Sequence, residues 1–262
     1  MANKSYIGVG NVAHNIKKMY IGVDGVARKV KKAYIGVNGV ARLVYQSGPT
    51  RTRTQTTLPA TANWSSVCYG NGMFVAVASN NNIAVYSTDG ITWTQATSPI
   101  PNSLSVCYGN GKFVAVTNEG DLIYSTNGDA WTLIPTNPTP TKIVWTTICY
   151  GDGKFVVMAK KSNIAAYSAD GINWSQTTRP ANTCWSSVCY GNGTFVAVTD
   201  DGDGMAAYST DGVNWTETGL WVGGPYWSSV CYGDGKFVAV AYGNGSNIAA
   251  YSTYGTSWTQ TT

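Results

Sequence analysis

Charge is scarce in this 262-residue chain: only 11% of residues are Asp, Glu, Lys or Arg, less than half of the usual quarter. Histidine is nearly missing, with His14 alone, so downstream of it neither a Ser-His-Asp triad nor a histidine-ligated zinc site can be assembled. No apolar run approaches the roughly eighteen residues that span a bilayer. The N-terminus also lacks the apolar core of a secretory signal. The expectation is a product made in the cytoplasm, with no signal peptide and no membrane partner. What the chain has in plenty is 30 glycines, 17 tyrosines and 10 tryptophans, a composition suited to many short strands joined by tight turns.

Those residues recur. Residues 64–93, WSSVCYGNGMFVAVASNNNIAVYSTDGITW, return four more times: the tyrosine of VCYG or ICYG falls at Tyr69, Tyr108, Tyr150, Tyr190 and Tyr232. The tryptophan ending each copy falls at Trp93, Trp131, Trp174, Trp215 and Trp258. A period near 40 residues built from strand-like pieces is the signature of a β-propeller or a related stacked array. Each copy reads as four strands, around SSVCY, KFVAV, IAAYS and WTQTT, and the second strand is apolar on both sides, as in a sheet covered on both faces. The prediction is an all-β, five-bladed β-propeller over residues 64–262.

Five of the six cysteines, Cys68, Cys107, Cys149, Cys189 and Cys231, occupy one equivalent position. Rotation sets such positions too far apart for a sulfur bridge, so they read as small buried hydrophobes. Cys184 stands outside the pattern and is the one whose reactivity merits a test.

Residues 1–48 are different. YIGVGNVAHNIKKM, YIGVDGVARKVKKA and YIGVNGVARLVYQS repeat with Tyr6, Tyr20 and Tyr34 spaced by 14. Asp24-Gly25 and Asn38-Gly39 are type I′ hairpin signals, and Gly10-Asn11 suits type II′. This segment carries eight Lys or Arg against one acid, a net of +7, whereas residues 49–262 carry nine against twelve, a net of −3. A basic hairpin unit this small buries too little to stand alone. Lys17, Lys18, Arg28, Lys29, Lys31, Lys32 and Arg42 are the candidate residues for docking on an acidic partner. No nucleic-acid-binding module is present to favour nucleic acid instead.

The pattern YIGVDGVARKVKKAYIGVNGVARLVY resembles hairpin repeats in structural proteins of tailed bacteriophages and prophages, over about 40 residues. That resemblance implies a virion component attached to capsid or tail by its N-terminus, with His14 and Gly10-Asn11 departing from the repeat. Residues 49–63 read as a linker whose second half, TQTTLP at 54–59, repeats SQTTRP at 175–180. It is thus a spare outer strand able to help close the ring.

YSTDGITW resembles the Asp-box of sialidases and related lectin-like propellers, although here Asp and Gly are adjacent. Ser87, Asp89, Gly90 and Trp93 fill its roles, and Asp170 and Asp211 follow in later copies. Asn127 and Tyr254 replace the aspartate in the second and fifth. In that family the box is a fold element. A sialidase would also need clustered arginines, and after residue 48 there are only Arg51, Arg53 and Arg179. Most aspartates sit in turns, so no catalytic residue is assigned and no cofactor is expected. Asp200, Asp201 and Asp203 are a weak calcium candidate without the EF-hand spacing.

Between copies, the turns joining the first to the second strand and the third to the fourth hardly vary. The other connections differ and fall on one face. There Asn80, Asn81, Asn82, Trp185, Trp221, Tyr226, Trp227 and Tyr242 mix aromatic and amide groups, as sugar-binding surfaces do. Against this, Trp64, Trp145, Trp185 and Trp227 share one repeat position, with Leu104 at that place in the second copy, and read as seals between blades. Two functions stand open: a displayed, non-enzymatic virion decoration protein with weak host or glycan adhesion, and a lectin or tail receptor-binding protein.

Overall fold

The computed structural model describes the strand residues between positions 6 and 46, and then residues 55–135, 143–202, 204–219, 226–242 and 248–261. It divides into two compact units, Met1–Gln55 and Thr56–Thr262.

In the first unit β1 (Tyr6–Val9) pairs with β2 (Val12–Asn15), β3 (Tyr20–Val23) with β4 (Val26–Lys29), and β5 (Lys32–Val37) with β6 (Val40–Gln46). The closing pairs Val9↔Val12, Val23↔Val26 and Val37↔Val40 leave two residues between strands, as the turn dipeptides predict. The turn residues themselves lie outside the described residues.

In the second unit, among the described residues, five four-stranded antiparallel sheets follow one another. The first blade is β7 (Trp64–Gly70), β8 (Met73–Ala78), β9 (Ala84–Ser87) and β10 (Thr94–Gln95); the second is β11 (Ser103–Gly109), β12 (Lys112–Thr117), β13 (Leu122–Ser125) and β14 (Thr132–Leu133). The third is β15 (Trp145–Gly151), β16 (Lys154–Ala159), β17 (Ser162–Ser168) and β18 (Ser175–Thr183). The fourth is β19 (Trp185–Gly191), β20 (Thr194–Thr199), β21 (Met205–Ser209) and β22 (Thr216–Gly219); the fifth is β23 (Tyr226–Gly233), β24 (Lys236–Tyr242), β25 (Ala249–Ser252) and β26 (Thr259–Thr261). The strands of each blade pair in chain order, the meander expected of a propeller.

The Gly-Asn-Gly element divides its labour. Asn71 and Gly72 form the two-residue turn, both at positive φ (48° and 74°), while Gly70 pairs with Met73 as the last strand residue. This is the type I′ arrangement, which suits Asn-Gly and matches the twist of the flanking strands. Gly70 serves packing instead: a Cβ there would fall inside the ring of Tyr108. Gly109, Gly151 and Gly191 meet Tyr150, Tyr190 and Tyr232 in the same way.

Around each glycine-tyrosine contact lies a buried cluster shared by two blades. Val75 and Val77 of the first blade pack with Phe113 and Ala115 of the second. Val114 and Val116 pack with Phe155 and Val157, Val156 and Met158 with Phe195 and Ala197, and Val196 and Val198 with Phe237 and Ala239. The second strand therefore has no polar face, because its two sides belong to two junctions. Hydroxyls knit the inner strands: Ser65 Oγ donates to Ser103 O, Thr146 Oγ1 to Trp185 O and Ser186 Oγ to Trp227 O, each at 2.6 Å.

Two sequence expectations change. The pairs Trp64↔Ala78, Ser103↔Thr117 and Trp145↔Ala159 put Ser103, fully buried, at the tryptophan position of the second blade, with Leu104 one residue beyond. The observed register thus differs by one residue from the expected one, which in a strand moves a residue to the other face. Trp145, Trp185 and Trp227 are buried, as seals should be. The second change concerns the ring. Four junctions are packed, but the faces that would make a fifth are open: Val67 is 62% and Tyr69 59% exposed on the first blade, and Val240 is 45% exposed on the fifth. Gly233 has nothing within 4 Å of where a Cβ would stand.

The spare strand copy does find a place. Thr56 Oγ1 donates to Ile91 O, as Thr177 Oγ1 of the third blade donates to Val213 O and Thr218 Oγ1 of the fourth to Thr256 O. Residues 55–58 form no strand, so the match to SQTT survives in a side-chain contact and not in a sheet edge.

Replacing Gly151 by alanine forces Tyr190 off its seat. Thermal unfolding should show a loss of about 1–3 kcal/mol, the usual cost of overpacking. Gly233→Ala should be within about 0.5 kcal/mol of wild type.

Candidate binding face

Each blade has one constant and one variable end. At the constant end stands the turn ending in the repeat tryptophan. Ser87 Oγ donates to Asp89 Oδ1 (2.9 Å) and accepts from Gly90 N (2.9 Å), while Asp89 Oδ1 accepts from Ile91 N and Thr92 N, both at 2.7 Å. The set recurs around Ser168 and Asp170 and around Ser209 and Asp211. Asn127 Oδ1 does the same work in the second blade, taking Asp129 N and Ala130 N. In the fifth blade, where Tyr254 replaces the acid, the bond from Gly255 N to Ser252 Oγ remains (2.8 Å).

The backbone amides of Thr92 and Ile91 hold the Asp89 carboxyl down at about 2. Burial pushes Asp170 and Asp211 upward, but amide donors, from Asn173 and Ile172 and from Asn214 and Val213, outweigh it and leave both well below the ordinary value. Phe74, Phe155 and Phe195 lie 6.4 Å from Trp93, Trp174 and Trp215, centroid to centroid. In each of these turns the serine and acid or amide side chains serve the turn's own backbone amides.

The variable end is where the first strand starts and the second stops, as Trp64↔Ala78 and Val77↔Ala84 show. The loops after the second strand and the connections between blades therefore meet there, as predicted. Not all of their polar groups face outward. Asn80 Oδ1 accepts from Asn63 N (2.6 Å), Asn81 Nδ2 donates to Thr61 O (3.1 Å), and Asn82 N donates to Asn102 Oδ1 (3.0 Å). Asn81 and Asn82 hold positive φ, 66° and 53°, a conformation asparagine tolerates better than most residues. The asparagine run thus shapes its own loop first.

Asp201 Oδ2 accepts from Cys184 N at 3.0 Å, the counterpart in the fourth blade of the Asn80 contact. One of the three carboxylates of the calcium candidate is so explained as a cap on a strand start. Asp203 lies outside the described residues, and no three metal-ligating side chains group together among those described.

Tyr226 and Tyr242 sit opposite each other at the end of β23 and β24, rings 5.6 Å apart and tilted by 38°, both exposed. Trp221 lies outside the described residues. Between the first two blades an open cleft of about 280 Å³ is lined by Asn82, Pro99, Ile100, Pro101 and Glu119, at the lower edge of ligand-site volumes. Sequence reasoning marked Asn82 and passed over the prolines. The signal was there in ATSPIPNS and NEGD, the loops that differ from their counterparts.

Of the candidate docking residues, Arg28 and Lys29 fall on β4, Lys32 on β5 and Arg42 on β6, with Arg28 paired to Ile21 and Arg42 to Ile35. Lys17, Lys18 and Lys31 lie outside the described residues. All six cysteines are free. Burial, reinforced by neighbouring cysteines, holds the Cys107 thiol far above its ordinary value, and burial alone lifts Cys68 to about 12. Cys231, by contrast, is exposed.

A family described as the DUF6242 beta propeller domain matches residues 35–142 and 105–222. No curated protein matches the chain. Among solved structures, virginiamycin B lyase from Staphylococcus aureus superposes with a TM-score of 0.67 at 15% identity, over 98% of this chain and 84% of that one. A catalytically inactive histidine-to-alanine variant of that lyase, with quinupristin, gives 0.67 at 13%, over 98% and 87%. YCF48 bound to D1 peptide gives 0.56 at 13%, over 98% and 86%. At such identities the likeness is one of fold.

Asp211→Asn should keep both turn-amide bonds but lose the Asn214 Nδ2 contact to Oδ2 (2.7 Å), and so cost less than Asp211→Ala, which strands two backbone amide donors and costs about 0.5–2 kcal/mol, as loss of a helix cap does. Because the folded carboxyls sit below their unfolded value, their contribution is present at neutral pH. It disappears as pH falls from about 4 toward the Asp89 value of about 2. Acid titration of unfolding midpoints, wild type against an Asp89, Asp170 and Asp211 triple asparagine variant, should show a shallower acid limb in the variant.

Proposed function

This chain belongs to the DUF6242 beta propeller domain family, and on that premise we propose that it is a non-enzymatic bacteriophage virion decoration protein. Its basic hairpin segment docks on an acidic capsid or tail surface, and its propeller is displayed. The observation that carries this reading is that charge divides where the chain does. Met1–Gln55 holds ten Lys or Arg against Asp24, a net of +9, and Thr56–Thr262 seven against twelve acids, a net of −5. A segment so one-sided meets an acidic partner by long-range attraction that salt weakens.

Sharing a fold with a lyase does not bring its chemistry along. The inactive variant shows that the lyase depends on a histidine, and this propeller, with His14 far upstream, has none. Replacing Arg28, Lys29, Lys32 and Arg42 by glutamate in the full chain should abolish co-purification with virions while far-ultraviolet dichroism is unchanged. Variants still bound to particles would refute the docking role.

The second reading, a glycan-binding lectin or tail receptor-binding protein, is favoured by the exposed Tyr226 and Tyr242 pair at the variable end, since sugar rings stack on such faces. Wild type should bind on a glycan array and Tyr242→Ala should lose at least most of that signal; a blank array for the wild type removes this reading. Weak sites repeated on one particle would gain through avidity.

A further inference from the structure

We propose that the open faces of the first and fifth blades are the two halves of a head-to-tail interface between copies of this chain. Each face has a template inside the molecule. At the four packed junctions a tyrosine covers the glycine that ends the preceding blade's first strand, and two residues of that blade's second strand meet the next blade's phenylalanine. The fifth blade presents the receiving half, Gly233, Val238 and Val240, and the first blade presents the entering half, Val67, Tyr69 and Phe74. Val67 is 62% exposed where its counterparts Val106, Ile148, Val188 and Val230 are buried, and Phe74 is half-buried where Phe113, Phe155, Phe195 and Phe237 are fully buried.

The polar half of the junction is also in place. Ser66, Ser105 and Ser187 accept from the backbone N of Val106, Ile148 and Val230 of the following blade. Their counterpart Ser229 is exposed and would take Val67 N of a second copy. Ser228 stands where Ser65 and Ser186 donate to the next blade's first strand.

A second copy fits better than closure of one chain upon itself. The four junctions are built from the same glycine-tyrosine seat, so the step between blades is nearly constant, and four such steps leave both end faces uncovered. A fifth junction within the chain would require altering the other four; a second copy requires only that its Thr261, the counterpart of Thr177 and Thr218, displace Thr56 from Ile91 O. Such a contact is heterologous, so repetition gives a series or a larger closed ring. This inference is independent of the virion reading.

The test uses full-length chain and two variants, each blocked at one face: Val67→Asp with Tyr69→Asp, and Val238→Asp with Val240→Asp. All four positions are exposed, and matching thermal unfolding checks that both variants fold. In sedimentation velocity the wild type should run above the 27.8 kDa monomer in a concentration-dependent way. Each variant alone should run as monomer, and an equimolar mixture should give dimer and nothing larger, since one good junction remains. Alkylation of exposed Cys231 should slow as wild type associates. A monomeric wild type overturns the proposal, whether Cys231 then reacts freely or is protected by another part of the chain. So does a mixture that stays monomeric.

Discussion

The structure rests on one steric fit: a tyrosine ring lying where a side chain at the end of the preceding blade's first strand would be. Only glycine permits it. Once Tyr108 covers Gly70, the adjoining valines and phenylalanine are brought to contact distance, the hydroxyls of the inner strands reach their carbonyls, and burial of apolar surface supplies the stabilisation. The same fit explains why the apolar faces of one blade have no value alone. A blade is a thin sheet with two oily sides, and it becomes a folded object through its neighbours.

That dependence separates two kinds of conserved-looking residue within the chain. Asp89, Asp170 and Asp211 resemble catalytic acids only until their donors are counted; each is an internal acceptor for its own turn. Asp201 and Asn80 likewise hold strand starts. Each of these side chains has at least one oxygen committed to a backbone amide of its own blade.

Much of this was legible in the amino-acid order because the repeat is its own alignment. Five copies reveal which residues the blade demands, and the dipeptides Asn-Gly and Asp-Gly mark turns by local backbone chemistry. The hairpins of the first unit were legible for the same reason. Less was legible where spacing mattered by one residue. The second copy lacks its tryptophan, and choosing Ser103 over Leu104 needed the pairing of β11 with β12. The cleft beside Pro99, Ile100 and Pro101 was missed because it is made by three segments of two adjacent blades, the loops at Asn82 and Glu119 and the connection between them, whose proximity no local pattern encodes.

The amino-acid sequence by itself determined the number of blades, the strands within each, the constant turns and the division of charge, since all of these follow from periodicity and short-range backbone preference. Tertiary structure alone decided whether the last blade meets the first. Closure is a sum of rotations over the whole array, invisible in any single repeat, and in this structure that sum leaves Tyr69 and Gly233 without each other.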